Sequence, residues 1–283
     1  MIADDIIKRA LVEDAPWGDI TSEAFLPEEA TATATLNARE SGVFSGALVF
    51  ARVFELVDPE VVVELALEDG EPFATGATLA RVDGSARSIL RAERVALNLV
   101  QRMSGIATLT ARYVMAVAGT SARVVDTRKT TPGLRVLERQ AVRDGGGHNH
   151  RFSLSDAVLA KDNHLAVLAA AGVDLGTAIR NARARIPHTT HLEVEVDQIE
   201  QIEPVVSAGV DTIMLDNFAI DELREGVRIV AGRALVEASG GVNLDTIAEI
   251  AATGVDLISV GALTHSVRAL DLGLDVDVRG IGR

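Results

Sequence analysis

Three dense clusters of anion-binding groups lie within residues 126–164 of the chain. The first is Asp126-Thr127-Arg128-Lys129-Thr130-Thr131-Pro132-Gly133. The second is Gly145-Gly146-Gly147-His148-Asn149-His150-Arg151, and the third is Lys161-Asp162-Asn163-His164. Guanidinium, ammonium and imidazole groups bind anions, as do the backbone N–H groups that glycine leaves open. A charge cluster is ordinarily a solvated face. Three in one short stretch, each beside an apolar run, are hard to account for in that way. The lysines sharpen the point. Of 27 basic residues only Lys8, Lys129 and Lys161 are lysine, and the other 24 are arginine. A lysine head is a compact ammonium on a flexible stem, and arginine does not replace it at a tight anion site. Lys129 and Lys161 therefore read as chosen for chemistry.

Acids and glycines further along supply the complement. Leu192-Glu193-Val194-Glu195-Val196 alternates with a period of two, so Glu193 and Glu195 share one face of a strand. Two acids pointing inward are costly unless a cation or hydrogen-bond donors meet them. The opposing reading is the polar outer face of an edge strand. Asp216-Asn217 closes another apolar run. Ser239-Gly240-Gly241-Val242-Asn243 and Val260-Gly261-Ala262-Leu263-Thr264-His265 follow two more. Glycine N–H groups just before a helix, added to the helix N-terminal charge, make a phosphate cradle. The assembled mouth has cations at Arg128, Lys129, Arg151 and Lys161, with His150 beside them. Glu195 and Asp216 stand opposite, and the cradles at 239–241 and 261 lie beyond. It suits a substrate with several carboxylates, a second with phosphates, and Mg²⁺ between acids and phosphates. No His-X-X-X-His pair and no Ser–His–Asp elbow is present. The chemistry expected is group transfer by positioning and electrostatics, without a protein nucleophile.

The elements that must carry these groups follow from periodicity. Residues 3–14 read as an amphipathic helix, then residues 13–21 as a loop with the single tryptophan, Trp17. A strand is expected at 30–38, a turn at 42–46, a helix at 47–56, and strands near 61–67 and 78–82. Asp69-Gly70 and Asp83-Gly84 read as turns. Residues 86–118 read as a long helix that Ser104-Gly105 breaks or kinks, with Arg94 as an ordinary surface charge. From residue 122 the pattern becomes periodic. Apolar runs at 123–125, 157–160, 192–196, 212–215, 235–238 and 257–260 alternate with helices at 134–142, 175–185, 199–208, 220–230 and 245–253. Such alternation argues for right-handed βαβ units and a parallel sheet. No dinucleotide fingerprint follows the first strand, and chemistry closes each run, as at the strand ends of an α/β barrel. The fold class is therefore α/β, with a closed or nearly closed barrel rather than a doubly wound sheet.

Composition sets the outer bounds. The chain has 283 residues, of which 48 % are hydrophobic and 3 % aromatic, so a core can be built mainly of Ala, Val, Leu and Ile. A net charge of −14 argues against general nucleic-acid binding and makes any anion site a local positive patch. The absence of cysteine excludes disulfides, thiolate nucleophiles and Cys-ligated metals. Residues 2–15 carry four acids and no apolar core of a secretory signal, and no apolar run reaches membrane-spanning length. A soluble cytoplasmic protein is the expectation.

The clusters at 126–133, 145–151 and 161–164, together with Glu193-Val194-Glu195-Val196, Leu215-Asp216-Asn217-Phe218 and Glu237-Ala238-Ser239-Gly240-Gly241, resemble the quinolinate phosphoribosyltransferase family. That family is also called nicotinate-nucleotide pyrophosphorylase (carboxylating). The resemblance extends to Glu13-Asp14, Gly18-Asp19-Ile20-Thr21 and Gly105-Ile106-Ala107-Thr108, and so runs nearly end to end. It implies an N-terminal α/β sandwich domain, residues 1–110 joined by the tail 267–283. It also implies an incomplete α/β barrel of fewer than eight strands over 111–266. The implied reaction is quinolinate plus phosphoribosyl pyrophosphate giving nicotinate mononucleotide, pyrophosphate and CO₂, with Mg²⁺. By position, Arg128, Lys129, His150, Arg151 and Lys161 would bind carboxylates and phosphates, and Lys161, Glu195 and Asp216 would carry the catalysis. Glu195 and Asp216 would hold Mg²⁺ and the ribose. Ser239, Gly240, Gly241 and Gly261 would take the 5′-phosphate, with His265 near. Arg94 would reach the neighbouring subunit's site in a homodimer or a higher oligomer. His148 departs from the family pattern, where a smaller or apolar residue is expected. Three alternatives stand beside this reading: a paralogue associated with molybdenum transport, a non-catalytic phosphate-ligand sensor, and a barrel aldolase using Lys161 as a Schiff base.

Overall fold

The computed structural model describes residues 2–278. Along the chain α1 (Ile2–Asp14) and α2 (Ile20–Phe25) precede β1 (Thr31–Ala38) and β2 (Gly42–Val43). There follow α3 (Ala47–Val57), β3 (Val62–Leu65), β4 (Pro72–Phe73), β5 (Thr78–Ser85) and the 31-residue α4 (Ala86–Ala116). Alternation then begins with β6 (Arg123–Val125), α5 (Arg135–Asp144), β7 (Val158–Ala160), α6 (Asp162–Ala170) and α7 (Leu175–Arg185). It continues with β8 (Leu192–Val196), α8 (Ile202–Ser207), β9 (Thr212–Asp216), α9 (Ile220–Val230) and β10 (Leu235–Ser239). The last elements are α10 (Ile247–Ala251), β11 (Leu257–Ser259), α11 (Ala262–His265) and β12 (Leu272–Val278). Two compact units result.

The first unit holds residues 2–111, 130–146 and 263–278. Its sheet is antiparallel, in the order β12-β1-β5-β3, with Leu36 facing Leu274 on one side and Ala80 on the other. β1 alternates Thr with Ala and Leu, and its Ala32, Ala34 and Leu36 are buried. Phe44, Phe50 and Phe54 lie among the largest fully buried side chains, with the Phe50 and Phe54 rings edge-on at 5.0 Å. Arg102 on α4 is the main polar tie. Its Nε donates to Glu138 Oε1 at 2.7 Å, and one terminal nitrogen donates to Thr131 Oγ1 and the Thr264 carbonyl, each at 2.8 Å.

Two turn or break signals are corrected here. Asp83-Gly84 is not a turn but part of β5, with Gly84 facing Ala32. The Asp83 carboxylate is used within the sheet, where Thr33 Oγ1 and Arg81 Nε donate to it. Ser104-Gly105 does not break α4. The Ser104 hydroxyl exchanges hydrogen bonds with the Ser45 backbone, and Gly105 makes room for the Arg268 carbonyl, which a Cβ would meet. The glycine therefore serves close approach rather than flexibility. One helix went unseen at 20–25, where the Asp19 carboxylate accepts from the Thr21 and Ser22 N–H groups and caps α2.

The second unit holds residues 112–129 and 147–262. Its six strands are parallel, in the order β6-β11-β10-β9-β8-β7. Six strands with β6 and β7 as the ends make an incomplete α/β barrel, short of the usual eight. Period two divides each strand. Val194, Ile213, Leu215 and Val236 are buried on one face, and Leu215 packs against Gly226 of α9. Glu193, Glu195, Met214, Glu237 and Ser259 take the alternate positions, which face the interior. The helix expected over 199–208 starts with a 3₁₀ turn at Ile199–Gln201 before α8. Sequence reasoning also missed α6. It has no buried residue, so no amphipathic stripe marks it. Among the described residues, no single helix is long and apolar enough to cross a membrane.

Candidate active site

The loops that leave the C-terminal ends of the parallel strands carry the candidate groups. After β6, Asp126 is fully buried. Its carboxylate accepts from Asn149 Nδ2 at 2.6 Å and from the His150 backbone N–H at 2.7 Å, which pins the glycine-rich loop to the strand end. His148 bridges to Val125 through its backbone, donating to the Val124 carbonyl and accepting from the Asp126 N–H. Its side chain is exposed, so the position uses backbone rather than side chain. This explains how the loop accommodates the departure from the family pattern.

A cavity of about 310 Å³ gathers Arg128, Lys129, His150, Arg151 and Lys161, floored by Leu159 and Met214 and walled by Ser239 and Ser259. Five groups singled out from three separate stretches of sequence thus share one space. Arg128 Nε is buried without a hydrogen-bond partner. Arg151 donates to the Ala157 carbonyl at 3.0 Å. Burial, then the neighbouring Arg128 charge, pulls the Arg151 pKa below its usual value. Crowded, partly desolvated cations of this kind call for an anion.

A second cavity, about 850 Å³, is lined by Glu195, Asp216, Asn217, Asp162 and Asn163 with residues of α6. The two meet at one ion pair, Lys161 Nζ to Glu195 Oε2 at 2.8 Å. Lys161 also precedes α6, where its backbone N–H donates to His164 Nδ1 at 2.9 Å. Asn217 Nδ2 donates to Asp216 Oδ2 at 2.7 Å. The oxygen-only donors at Glu195 and Asp216 fit a hard divalent cation that completes its shell with phosphate and water.

The two inward acids of β8 are met as the alternation required. Glu195 meets Lys161, and Glu193 Oε2 lies 3.0 Å from His150 Nε2. β8 has paired neighbours on both sides, so an outer edge face is excluded. Glu237 Oε2 also lies 3.5 Å from His150 Nε2, and the Ser259 hydroxyl donates to Glu237 Oε1. Burial opposes charge on the His150 ring, while the Glu193 and Glu237 carboxylates hold its proton on Nε2. Burial pushes Glu193 up to about 7, with the Glu237 charge adding to the effect. Sequence reasoning placed Glu237 in a motif but saw no role for it, because its partner lies 87 residues away in the chain.

The phosphate cradle needs one correction. Gly240 (φ +90°) and Gly241 (φ +61°) do form an open turn after β10, and a Cβ on Gly240 would strike the Asn217 side chain. The next helix, α10, starts only at Ile247 and has five residues. Between them Asn243 Oδ1 accepts from the Asp245 and Thr246 N–H groups. The candidate cradle therefore offers loop amides and the Ser239 hydroxyl, without helix N-terminal amides. Gly261 directly precedes the single turn α11, which His265 ends. Arg94 is exposed on α4. Arg94 and His265 belong to the first unit, whereas the other candidate residues belong to the second.

Residues 19–104 match the model of the quinolinate phosphoribosyl transferase N-terminal domain, and residues 106–275 that of its C-terminal domain. The chain belongs to the quinolinate phosphoribosyltransferase family. It is 45 % identical over 282 residues to the nicotinate-nucleotide pyrophosphorylase (carboxylating) of Mycobacterium leprae, covering 97 % of both chains. It is 41 % identical over 271 residues to the probable enzyme of that name from Bacillus subtilis, covering 96 % of this chain and 92 % of that one. The crystal structure of NadC from Streptococcus pyogenes superposes with a TM-score of 0.93 at 42 % identity, covering 98 % of this chain and 97 % of that one.

Proposed function

We propose that this protein transfers the phosphoribosyl group of phosphoribosyl pyrophosphate to quinolinate and releases CO₂, giving nicotinate mononucleotide for NAD biosynthesis. The cation-lined cavity joined by the Lys161–Glu195 pair to an acid-lined one carries this reading. A planar dicarboxylate fits the first, and a metal-bound ribose pyrophosphate fits the second. Relatives at 41–45 % identity bear the matching names.

In this reading Arg128, Arg151 and Lys161 hold the quinolinate carboxylates, and Lys129, exposed at the cavity edge, reaches the pyrophosphate. Ser239, Gly240, Gly241 and Gly261 take the 5′-phosphate, with His265 beside them. Glu195 and Asp216 would hold Mg²⁺, which would supply charge neutralisation for the pyrophosphate. The ring nitrogen forms its bond to ribose C1′ as the C1′–pyrophosphate bond breaks. Glu195 and Asp216 stabilise the positive charge that develops on the ribose. The bond from ring C2 to its carboxylate then breaks. The electron pair stays on C2 beside the cationic nitrogen and takes a proton from water. Holding one carboxylate by cations while the other lies against Leu159 and Met214 favours the loss.

The proposed domains are 1–110 with 267–283, of which residues 1 and 279–283 lie outside the described residues, and 111–266. The proposed assembly is a cytoplasmic homodimer in which Arg94 completes the partner's site. The apolar helix α6, none of whose residues is buried, supports an interface. Incubation with quinolinate, phosphoribosyl pyrophosphate and Mg²⁺, with nicotinate as control, tests the activity. Nicotinate mononucleotide and CO₂ from quinolinate alone are expected. No product from folded protein that still binds phosphoribosyl pyrophosphate would move the assignment to the transport-associated paralogue.

A further inference from the structure

Beneath the cation-lined cavity lies a second layer that the reaction above does not use. Glu193 on β8 and Glu237 on β10 converge on the His150 ring, and Ser259 on β11 donates to Glu237. Glu193 and Glu237 are 3 % and 1 % exposed. Glu193 Oε1 is buried with no hydrogen-bond partner. One histidine and two carboxylates, with ligand atoms within 4.8 Å of one another, have the composition of a cation site. The tautomer tells against one. His150 Nδ1 accepts the Arg151 backbone N–H at 2.7 Å, so that nitrogen carries a lone pair. The ring proton then sits on Nε2, pointing at both carboxylates, and Nε2 has no lone pair for a metal. The same fact locates the proton that this group retains on the Nε2–carboxylate side rather than on Nδ1.

We propose that Glu193 and Glu237 are positioning residues, which fix His150 as the Nε2–H tautomer so that its Nδ1 holds the Arg151 backbone and keeps the Arg151 side chain at the cavity. Each link is a contact. Ser259 orients Glu237, the two acids orient the ring, the ring accepts from Arg151, and Arg151 lines the cavity. Asp126 clamps the same loop from the other side, through the His150 N–H and Asn149. The layer acts on the dicarboxylate subsite and leaves the phosphate cradle alone, so its removal separates the two substrates.

The functional arm of the test rests on the quinolinate reading, and the spectroscopic arm does not. ¹⁵N NMR of histidine-labelled protein at neutral pH, with His150→Gln to assign the signal, should show His150 as the neutral Nε2–H tautomer. Glu193→Ala and Glu237→Ala should lose that fixed tautomer. They should raise KM for quinolinate roughly tenfold or more, the scale of a lost hydrogen bond to a charged group. KM for phosphoribosyl pyrophosphate should stay within about twofold, which general loosening of the barrel would not spare. Glu237→Gln keeps an acceptor for Nε2–H and should retain the wild-type KM. A doubly protonated or Nδ1–H His150 in the wild type overturns the proposal, as does an unchanged quinolinate KM in the folded alanine variants. Should the alanine variants not fold, the wild-type and Glu237→Gln spectra decide it. A wild type inert toward quinolinate defeats the functional reading, and the tautomer is still measured.

Discussion

Replacing Lys161 with alanine separates chemistry from stability. Its ammonium lies 2.8 Å from a carboxylate oxygen of Glu195, whose side chain is 9 % exposed while that of Lys161 is 46 % exposed. Breaking a fully buried pair costs about 3–5 kcal/mol, because the remaining charge is stranded. Here water reaches the lysine side, so the cost falls toward the exposed-pair range, to about 1–2 kcal/mol. For a unit of this size that lowers Tm by roughly 2–8 °C. The loss in catalysis is larger. Lys161 lines the carboxylate cavity, and a hydrogen bond between charged groups contributes about 1.5–3 kcal/mol, or roughly 10–100-fold in kcat/KM. Removing the counter-charge of Glu195 also disturbs the metal side, so turnover should fall by about 100-fold or more. Lys161→Arg should not restore it, because the forked guanidinium cannot occupy the ammonium position. Steady-state kinetics beside thermal unfolding distinguish the outcomes. Activity within about threefold of wild type, in folded protein, would refute the placement of Lys161 at the reacting groups.

Other consequences are open to direct measurement. Mixed dimers of Arg94→Ala with Lys161→Ala should regain part of the wild-type rate if Arg94 acts across the interface; verified heterodimers with no recovery count against a shared site. Arg102→Met strands Glu138, which is 1 % exposed, and frees Thr131 and the Thr264 carbonyl, so urea unfolding should show a loss of about 3 kcal/mol or more. A loss under about 1 kcal/mol would contradict that account. Gly240→Ala forces a Cβ into Asn217 at φ +90° and should raise KM for phosphoribosyl pyrophosphate far more than for quinolinate. Equal changes would remove the cradle from the phosphate site. The carboxyl of Asp144, half-buried, is raised first by burial and then by nearby Asp69, against the hydrogen bond from Ser45. A raised folded value means that the native state holds the proton more tightly. That contribution to stability is full below the ordinary value of 3.8 and is lost as pH rises through the folded value. Asp144→Asn should therefore gain on wild type as pH rises from about 4, and a pH-independent difference would refute the assignment.

Much of the architecture is legible because local physics repeats along the chain. The barrel strands lie at or within a residue or two of their expected positions, since apolar runs of three to five residues between helical stretches have few other uses. α7 and α9 match their expected limits because each carries a clear apolar stripe. α6 lacks such a stripe and was invisible for that reason. Asp83-Gly84 and Ser104-Gly105 misled because turn-forming residues also serve where backbones approach closely or where a sheet uses the side chain. Only the surrounding chain separates these uses.

The site divides in the same way. Residue types marked the candidate groups: two lysines in an arginine-using chain, three glycine- and cation-rich clusters, and two acids on one strand face. The alternation of Glu193 and Glu195 was enough to require that something meet each of them. Which partner each acid has was decided by the curl of the sheet, which sets Lys161 against Glu195 and His150 between Glu193 and Glu237. The role of Glu237, the tautomer of His150 and the late start of the helix after Gly241 likewise belong to tertiary structure. Periodicity is a property of neighbours in the chain. The pairing of buried charges depends on distances between strands that the chain order does not contain.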